Sequence, residues 1–224
     1  MTAAIWALVY EISNDDRQSY LNWFHQIHIP EKLARPGYCW AAHFEGSATT
    51  PNMHSYIALF GGLSTRIFLD PSPAQLKTKQ DGLTREMIAR RCNSFATILA
   101  HEWSDRSTPN TGNDEAMAAE AISSGRLDFL MIDAADQSEA IGAWIVQNLL
   151  PKLQSDNPDA AQNAAITHKF ISVTGAPAHI LFHETNRIKF EDDVINFDLG
   201  AQILTDGIEK APVHHRYGKR IWPV

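Results

Sequence analysis

The chain has 224 residues, of which 44% are hydrophobic and 20% charged, as in an ordinary soluble globular protein of one large domain or two smaller ones. Its net charge of -7 argues against a nucleic-acid surface, since phosphate binding needs clustered Lys and Arg. No apolar run approaches the roughly 20 residues of a membrane span. Residues 1–16 lack a basic region and turn acidic early, so we expect a cytoplasmic protein.

The first half of the sequence predicts strands and helices in the order βαββαβ. Residues 4–12 form a strand that is apolar on both faces, so both faces should be covered. The first helix should begin at the capping residues Ser13 and Asn14 and end before Pro30, because proline disfavours helical geometry in the residue preceding it. The other predicted elements are strands at 38–44, 55–60 and 95–103 and a helix at 83–91.

The second half repeats this order after a polar stretch. Residues 104–113 have the composition of an exposed linker, and an Ala-rich stretch at 114–122 predicts a short helix. Strands at 127–132, 165–173, 178–184 and 214–222 and helices at 138–153 and 190–208 follow. We therefore expect an N-terminal unit at 1–104, a linker with a short helix at 105–125 and a C-terminal unit at 126–224.

A degenerate repeat connects the two halves. The segment 20–33, YLNWFHQIHIPEKL, returns at 144–153 as WIVQNLLPKL. Both copies contain a Trp, a Gln three residues later, an aliphatic residue followed by Pro, and then Lys and Leu. Only the first copy carries the histidines His25 and His28. A tandem duplication with one polar site per chain would explain this difference.

Each half fits a split βαβ, ferredoxin-like unit, in which helices cover one face of an antiparallel sheet. The other sheet face must also be buried, because the first strand is apolar on both sides. The predicted fold class is therefore α+β, with two tandem ferredoxin-like units whose antiparallel sheets pack face to face as an α+β barrel.

The segment 20–33 resembles the first helix of EthD-like and stress-responsive members of the dimeric α+β barrel superfamily. In those proteins a Trp is followed by a His five residues later and a Pro two residues beyond it, and Trp23, His28 and Pro30 have this spacing. Many relatives have an acid just before the His, whereas this chain has Ile27. The resemblance implies a barrel of two units, here within one chain, and leaves open whether the chain also forms a homodimer.

His28 is the strongest candidate for a catalytic residue. The structural interpretation is that a His at a helix end caps free carbonyls or makes a buried hydrogen bond. The functional interpretation is a general acid or base at the mouth of a pocket between helix and sheet, for which an unperturbed pKa of about 6.5 is suitable. The loss of this His from the second copy of the repeat favours a function.

Aromatic residues and further histidines are candidates for ligand binding. The aromatic members would stack a flat ligand and the histidines would orient one, although both types also serve in core packing and structural hydrogen bonds. We expect His101 to share a strand face with Leu99 and Trp103. The candidate ligand-binding residues are Trp6, Tyr10, Trp23, His25, Tyr38, His43 and His101.

Other patterns predict neither a metal site nor a disulfide. His25 and His28 form an H-x-x-H pair, but zinc needs three or four converging ligands and no third ligand is spaced to join them. Cys39 and Cys92 should be two reduced thiols, as is usual in a cytosolic chain.

The predicted helix at 83–91 is rich in arginine near its end. Arg85, Arg90 and Arg91 are interleaved with Glu86. This pattern indicates a solvated helix face.

Three functional hypotheses follow from the sequence and the resemblance. The first is an enzyme without a cofactor that moves a proton of a small cyclic or aromatic compound, since the resembled families include lactone isomerases, polyketide cyclases or dehydratases and quinone-forming monooxygenases. The second is a haem protein, because chlorite dismutases and dye-decolourising peroxidases share this fold. The third is a non-catalytic binding or structural module. The histidines available to a haem in the second half are His168, His179, His183, His214 and His215.

Overall fold

The computed structural model describes residues 3–46, 48, 50–106, 122, 125–133, 137–155, 165–175, 177–185 and 213–223. Its strands are β1 (Ala4–Ser13), β2 (Tyr38–Gly46), β3 (Met53–Gly62), β4 (Cys92–Arg106), β5 (Arg126–Ile132), β6 (Ile166–Ser172), β7 (His179–Thr185) and β8 (Val213–Trp222). Its helical segments are α1 (Asn14–Trp23), a π-helical turn (Phe24–His28), α2 (Ile29–Leu33), a 3-10 turn (Thr65–Phe68), α3 (Pro73–Lys77), α4 (Gly82–Ala89), α5 (Ser138–Trp144), a second π-helical turn (Ile145–Leu149) and α6 (Leu150–Ser155). None of these helices is long and apolar enough to cross a membrane. The predicted helix at 190–208 and most of the predicted linker at 105–125 lie outside the described residues.

The strands close into one barrel in the order β1-β3-β2-β8-β5-β7-β6-β4. All the described strand pairs are antiparallel. The order β4-β1-β3-β2 of the first half recurs as β8-β5-β7-β6 in the second, and the halves meet where β2 pairs with β8 and β4 pairs with β6. The expected α+β barrel is thus formed within a single chain.

Strand β1 is buried on both faces, as its sequence predicts. Ile5 and Val9 face the inside of the barrel, where they share a core with Phe129 of the second half. Trp6 and Tyr10, which alternate with them, face the helices of the first half and belong to a separate outer core. Burying a large apolar side chain stabilises a fold by about 1.5–3 kcal/mol, so both layers contribute to the position of this strand.

The first helix passes through Pro30, so the prediction that it ends before this residue is wrong. Ser13 does cap its start, because the Ser13 hydroxyl accepts a hydrogen bond from the Asp16 N–H at 3.2 Å. In the π-helical turn, the Ile29 N–H bonds to the carbonyl of Phe24, five residues back. This wider turn removes the need for the ordinary helical bond that Pro30 cannot make, and the helix continues as α2.

The second half contains the same irregularity. A π-helical turn at Ile145–Leu149 comes directly before α6, which contains Pro151. The two copies of the repeat therefore share a local conformation as well as a sequence pattern.

Strand β4 changes the face of its side chains near its end. Leu99 belongs to the interior core, whereas Trp103 packs against the outer core of the second half. The pairing with β6 shifts register between His101 and Trp103. A bulge adds a residue to one strand and so reverses the side-chain direction beyond it. The expectation that His101 shares a face with Trp103 is therefore wrong.

Candidate active site

His28 lies at the end of the first π-helical turn and is only 2% exposed. Its ring packs against Trp23 and Phe24, with ring centroids 4.6 Å and 5.4 Å away. Because the helix continues beyond it as α2, His28 makes no side-chain capping bond. Its Nδ1 atom is buried and has no hydrogen-bond partner among the described residues. The interpretation of His28 as a helix cap does not hold.

His28 lines a cavity of about 160 Å³ between the helices and the outer face of the first-half sheet. Trp6, Leu8, Leu76 and Ile88 supply most of its apolar wall. An engineered protein cavity of about 150 Å³ holds a benzene molecule, so this space is large enough for one ring.

The polar lining of the cavity is cationic. Lys32, Lys77 and Arg91 line it together with Gln80, and no carboxylate does so in the part of the chain that the structure describes. The Lys32 side chain is 3% exposed, and its ion pair with the exposed Glu31 is long, at 3.4 Å. The chain has a net negative charge, but this cavity has the opposite local charge.

Arg91 faces inward and is not part of a solvated helix face. Helix α4 ends at Ala89, so Arg91 lies beyond the helix, next to the start of β4, and does not share the orientation of Arg90. The Arg91 Nε donates to the Tyr20 hydroxyl at 2.7 Å, and the guanidinium lies 4.8 Å from the ring centre of Tyr10. The Arg91 Nη2 is buried without a partner among the described residues.

The surroundings of His28 keep its imidazole neutral. Burial, followed by the positive charges of Lys32, Arg91 and Arg35, lowers the pKa of His28 to about 2. Burial also lowers the pKa of the Lys32 ammonium, with Arg35 acting in the same direction. The cavity thus combines an uncharged ring nitrogen with nearby cations whose charge is poorly solvated.

A chain of hydrogen bonds lies next to this cavity. The Tyr10 hydroxyl is 2.8 Å from Nε2 of His43, and the His43 Nδ1 is 2.8 Å from Nε2 of His25. Burial lowers the pKa of His43 well below its usual value, so this imidazole is neutral and carries one N–H. One of its two bonds must therefore be donated and the other accepted, and the chain has a single direction from Tyr10 to His25 or the reverse.

The structure brings most of the candidate residues together in this region. Trp6 lines the cavity, Trp23 contacts His28, and Tyr10, His43 and His25 form the adjoining chain. The other two candidates lie elsewhere in the fold. Tyr38 packs on Phe68 and Phe60, and His101 bonds to Ser104 and contacts Phe170 of the interior core.

The sequence reasoning did not single out Lys32, Lys77, Gln80 or Arg91. Lys32 could have been noticed because it lies one helical turn after His28. Arg91 could have been noticed because it lies between a predicted helix and an apolar strand. Neither signal distinguishes a buried cation from the usual exposed one, since Lys and Arg are almost never fully buried.

The histidines considered for a haem are engaged in side-chain contacts or exposed. His168 uses both ring nitrogens, bonding to Ser104 at 2.7 Å and to Glu184 at 2.6 Å. His179, His183 and His215 bond to Ser138, Thr167 and Asp128, and His214 is exposed. The two bonds of His168 leave neither of its ring nitrogens for a haem iron.

The remaining expectations concern metals and cysteines. No group of three or more His, Cys, Asp or Glu side chains is placed to hold a metal ion among the described residues. Cys39 and Cys92 are exposed free thiols.

Comparison with known proteins gives a likeness of structure alone. No family model and no curated protein matches the chain. A "Putative monooxygenase" from Fusobacterium nucleatum subsp. nucleatum ATCC 25586 is 10% identical, with a TM-score of 0.53 over 98% of this chain and 91% of that chain. An anthrone oxidase-like protein is 9% identical, with a TM-score of 0.58 over 99% of this chain and 92% of that chain.

A mutant chlorite dismutase from Candidatus Nitrospira defluvii, in complex with cyanide, is 11% identical over 98% of this chain and 91% of that chain. Its TM-score is 0.49. At such identities the two better matches concern the fold only. The chain thus shares the fold of these two proteins, a closed, eight-stranded α+β barrel.

Proposed function

We propose that the protein is a cofactor-free enzyme of the EthD-like α+β barrel type that transfers a proton of a small cyclic or aromatic organic compound. The observation that carries this proposal is the neutral, buried His28, which lies beside a ring-sized cavity and whose Nδ1 has no partner in the part of the chain that the structure describes. A neutral imidazole is a proton acceptor, and a general base must lie within hydrogen-bond reach of the proton that it removes. A substrate bound in the cavity would place its proton within hydrogen-bond reach of His28.

The proposed reaction begins with a proton moving from a carbon or hydroxyl of the substrate to His28. The electron pair stays on the substrate as an enolate or phenolate, which the positive charges of Lys32 and Arg91 stabilise. These cations disfavour an imidazolium, but they favour the substrate anion that forms at the same time. Isomerisation, cyclisation, dehydration and attack of the anion on O₂ all share this first step.

We also propose that the chain is a tandem duplication of a ferredoxin-like unit, with units at 1–104 and 126–224 joined by a linker at 105–125. The repeated strand order and the π-helical turns before Pro30 and Pro151 support this origin. Each described strand already has two neighbours in the closed barrel. A homodimer would therefore form through surfaces other than strand edges.

The proposal is tested by proton–deuterium exchange in D₂O, followed by NMR, on small cyclic ketones, lactones and phenols, beginning with 2-cyclohexenone. The full chain should accelerate exchange, and His28→Gln should slow it by about 10²–10⁴-fold, the usual contribution of a general base. The matched control is His214→Gln, because His214 is exposed on β8 and should leave the rate unchanged. Exchange that survives in His28→Gln would remove His28 from the mechanism.

A non-catalytic binding module is the second candidate. The pKa of His28, lowered to about 2 by burial and neighbouring cations, makes the imidazole a weak proton acceptor and supports this alternative. Compounds that bind in the cavity without any accelerated exchange would favour the binding module.

A further inference from the structure

We propose that the cavity beside His28 selects small organic anions, in particular a carboxylate attached to a single ring. This inference rests on the proposed function in that it names the substrate class of the same cavity. It also extends to the binding-module alternative, because it concerns recognition and not chemistry.

The charged side chains that line the cavity are all positive among the described residues. Lys32, Lys77 and Arg91 line it, and no acidic side chain among the described residues does. Lys32 pairs with Glu31, but this contact is 3.4 Å long and the Glu31 side chain is 45% exposed. A buried cation without close compensation is costly, so an anion in the cavity would relieve an unfavourable charge.

Two contacts with tyrosines hold the Arg91 guanidinium in one orientation. The Arg91 Nε donates to the Tyr20 hydroxyl, and the Arg91 Cζ lies 4.8 Å from the centre of the Tyr10 ring, so these contacts fix the guanidinium. Its Nη2 has no partner among the described residues, although it is buried. A planar guanidinium held in this way matches a carboxylate, which accepts charge-assisted hydrogen bonds in the same plane.

The rest of the cavity wall is mostly apolar. The apolar side chains of Trp6, Leu8 and Ile88 suit a ring, and the cavity volume of about 160 Å³ limits that ring to about the size of benzene. The Gln80 Oε1 atom is a buried acceptor without a partner among the described residues, and it fits a hydroxyl or N–H on the ligand. A fully apolar ligand would leave both Arg91 and Gln80 unsatisfied.

The test uses two probes of equal shape, benzoate and benzamide, titrated into the full chain by calorimetry at low salt. Benzoate should bind at least about tenfold more tightly than benzamide, since a hydrogen bond to a charged group contributes a factor of about ten to a hundred. Arg91→Gln should abolish the preference. The matched control Arg90→Gln should keep it, because the Arg90 guanidinium pairs with Asp16 and Glu86 outside the cavity.

A second variant and a second measurement guard against misfolding of Arg91→Gln. Lys77 is exposed at the cavity rim, so Lys77→Gln should fold normally and reduce the preference for benzoate by a smaller factor. In NMR spectra at neutral pH, benzoate should shift the ring resonances of His28 more than benzamide does. Equal binding of the two probes, binding of neither, or an equal loss in Arg90→Gln would overturn the proposal.

Benzoate carries no exchangeable carbon-bound proton that His28 would remove, so its binding is independent of catalysis. Preferential benzoate binding together with unchanged exchange in His28→Gln would retain the anion site and remove His28 from the mechanism. Loss of exchange in His28→Gln without benzoate preference would retain the enzyme and reject the anion site.

Discussion

His28 is buried beside three cations. We expect this arrangement to lower the stability of the fold at acidic pH. The folded-state pKa of His28 is lowered to about 2, mainly by burial, from the ordinary histidine value of 6.5. The unfolded chain therefore binds a proton at a pH where the folded chain does not. Stability is complete above about pH 6.5 and is lost as the pH falls towards the folded-state pKa. Burial also lowers the pKa of His25 and His43, so these residues act in the same direction.

We expect the free energy of unfolding to fall as the pH decreases below about 6. In His28→Gln this free energy should fall less steeply. One proton of difference between the states corresponds to about 1.4 kcal/mol per pH unit, which sets the upper limit of the change in slope. Denaturant unfolding at a series of pH values from 7 to 4.5 measures it. His214→Gln, at an exposed position, should keep the slope of the natural chain. Parallel curves for all three proteins would mean that the pKa of His28 is the same in the folded and unfolded chains.

At the residue scale, the sequence pointed to His28, which lines the cavity, but not to the charge of that cavity. His28 could be found because the second copy of the repeat has Leu149 in its place. Lys32 and Arg91 could not be found, because their burial depends on how helices pack over the sheet. A local pattern of alternating charge predicts solvation equally well for Arg90, which pairs with Glu86 at the surface, and for Arg91, whose Nε bonds to Tyr20 and whose Nη2 is buried.

The π-helical turn is the element that builds the contact between Trp23 and His28. In an ordinary α-helix, side chains three or four residues apart are neighbours, and those five apart are not. The turn widens the helix so that the Ile29 N–H reaches Phe24, and the rings of Trp23 and His28 lie 4.6 Å apart. Such turns are frequent at functional sites. The spacing of Trp, His and Pro in the sequence is thus the spacing that this turn requires.

The turn also explains how the helix contains Pro30, and this explanation is testable. We expect Pro30→Ala to change the free energy of unfolding by less than about 1 kcal/mol, because the wider turn already accommodates the proline. Asn22→Pro is the matched comparison, since Asn22 is exposed in the regular part of α1 and a proline there should cost about 3 kcal/mol. Chemical denaturation measures both. Stabilisation of about 3 kcal/mol by Pro30→Ala would show that the proline strains the helix.

At the element scale, alternation and capping predicted the strands and the start of the first helix well. Residues 4–12 were apolar on both faces, and β1 is covered on both sides. The continuation through Pro30 and the bulge after His101 were missed for a common reason. Each inserts one extra residue into a regular pattern, and a periodicity argument assumes that the pattern has no insertions.

At the scale of the whole molecule, the two halves share one interior core. Ile5 and Phe44 of the first half belong to the same buried cluster as Phe129 and Phe182 of the second. The candidate site also reaches the second half, because the ring of His25 lies 6.2 Å from that of Trp222. The sequence predicted two packed sheets, but only the register of β2 with β8 and of β4 with β6 shows that they close into one barrel.

This shared core should make the halves unfold together. We expect Phe182→Ala to cost about 3–5 kcal/mol, as for other buried aromatic side chains, and to lower the protection of the β1 amides as much as that of the β7 amides. Hydrogen exchange measured residue by residue tests this expectation, since amides that open only by global unfolding report the same free energy. Ile171→Ala is the control, because Ile171 is 42% exposed and its truncation should change both strands little. Protection of β1 that persists while that of β7 falls would show that the halves unfold separately, and the site around His28 would then be stable without the second half.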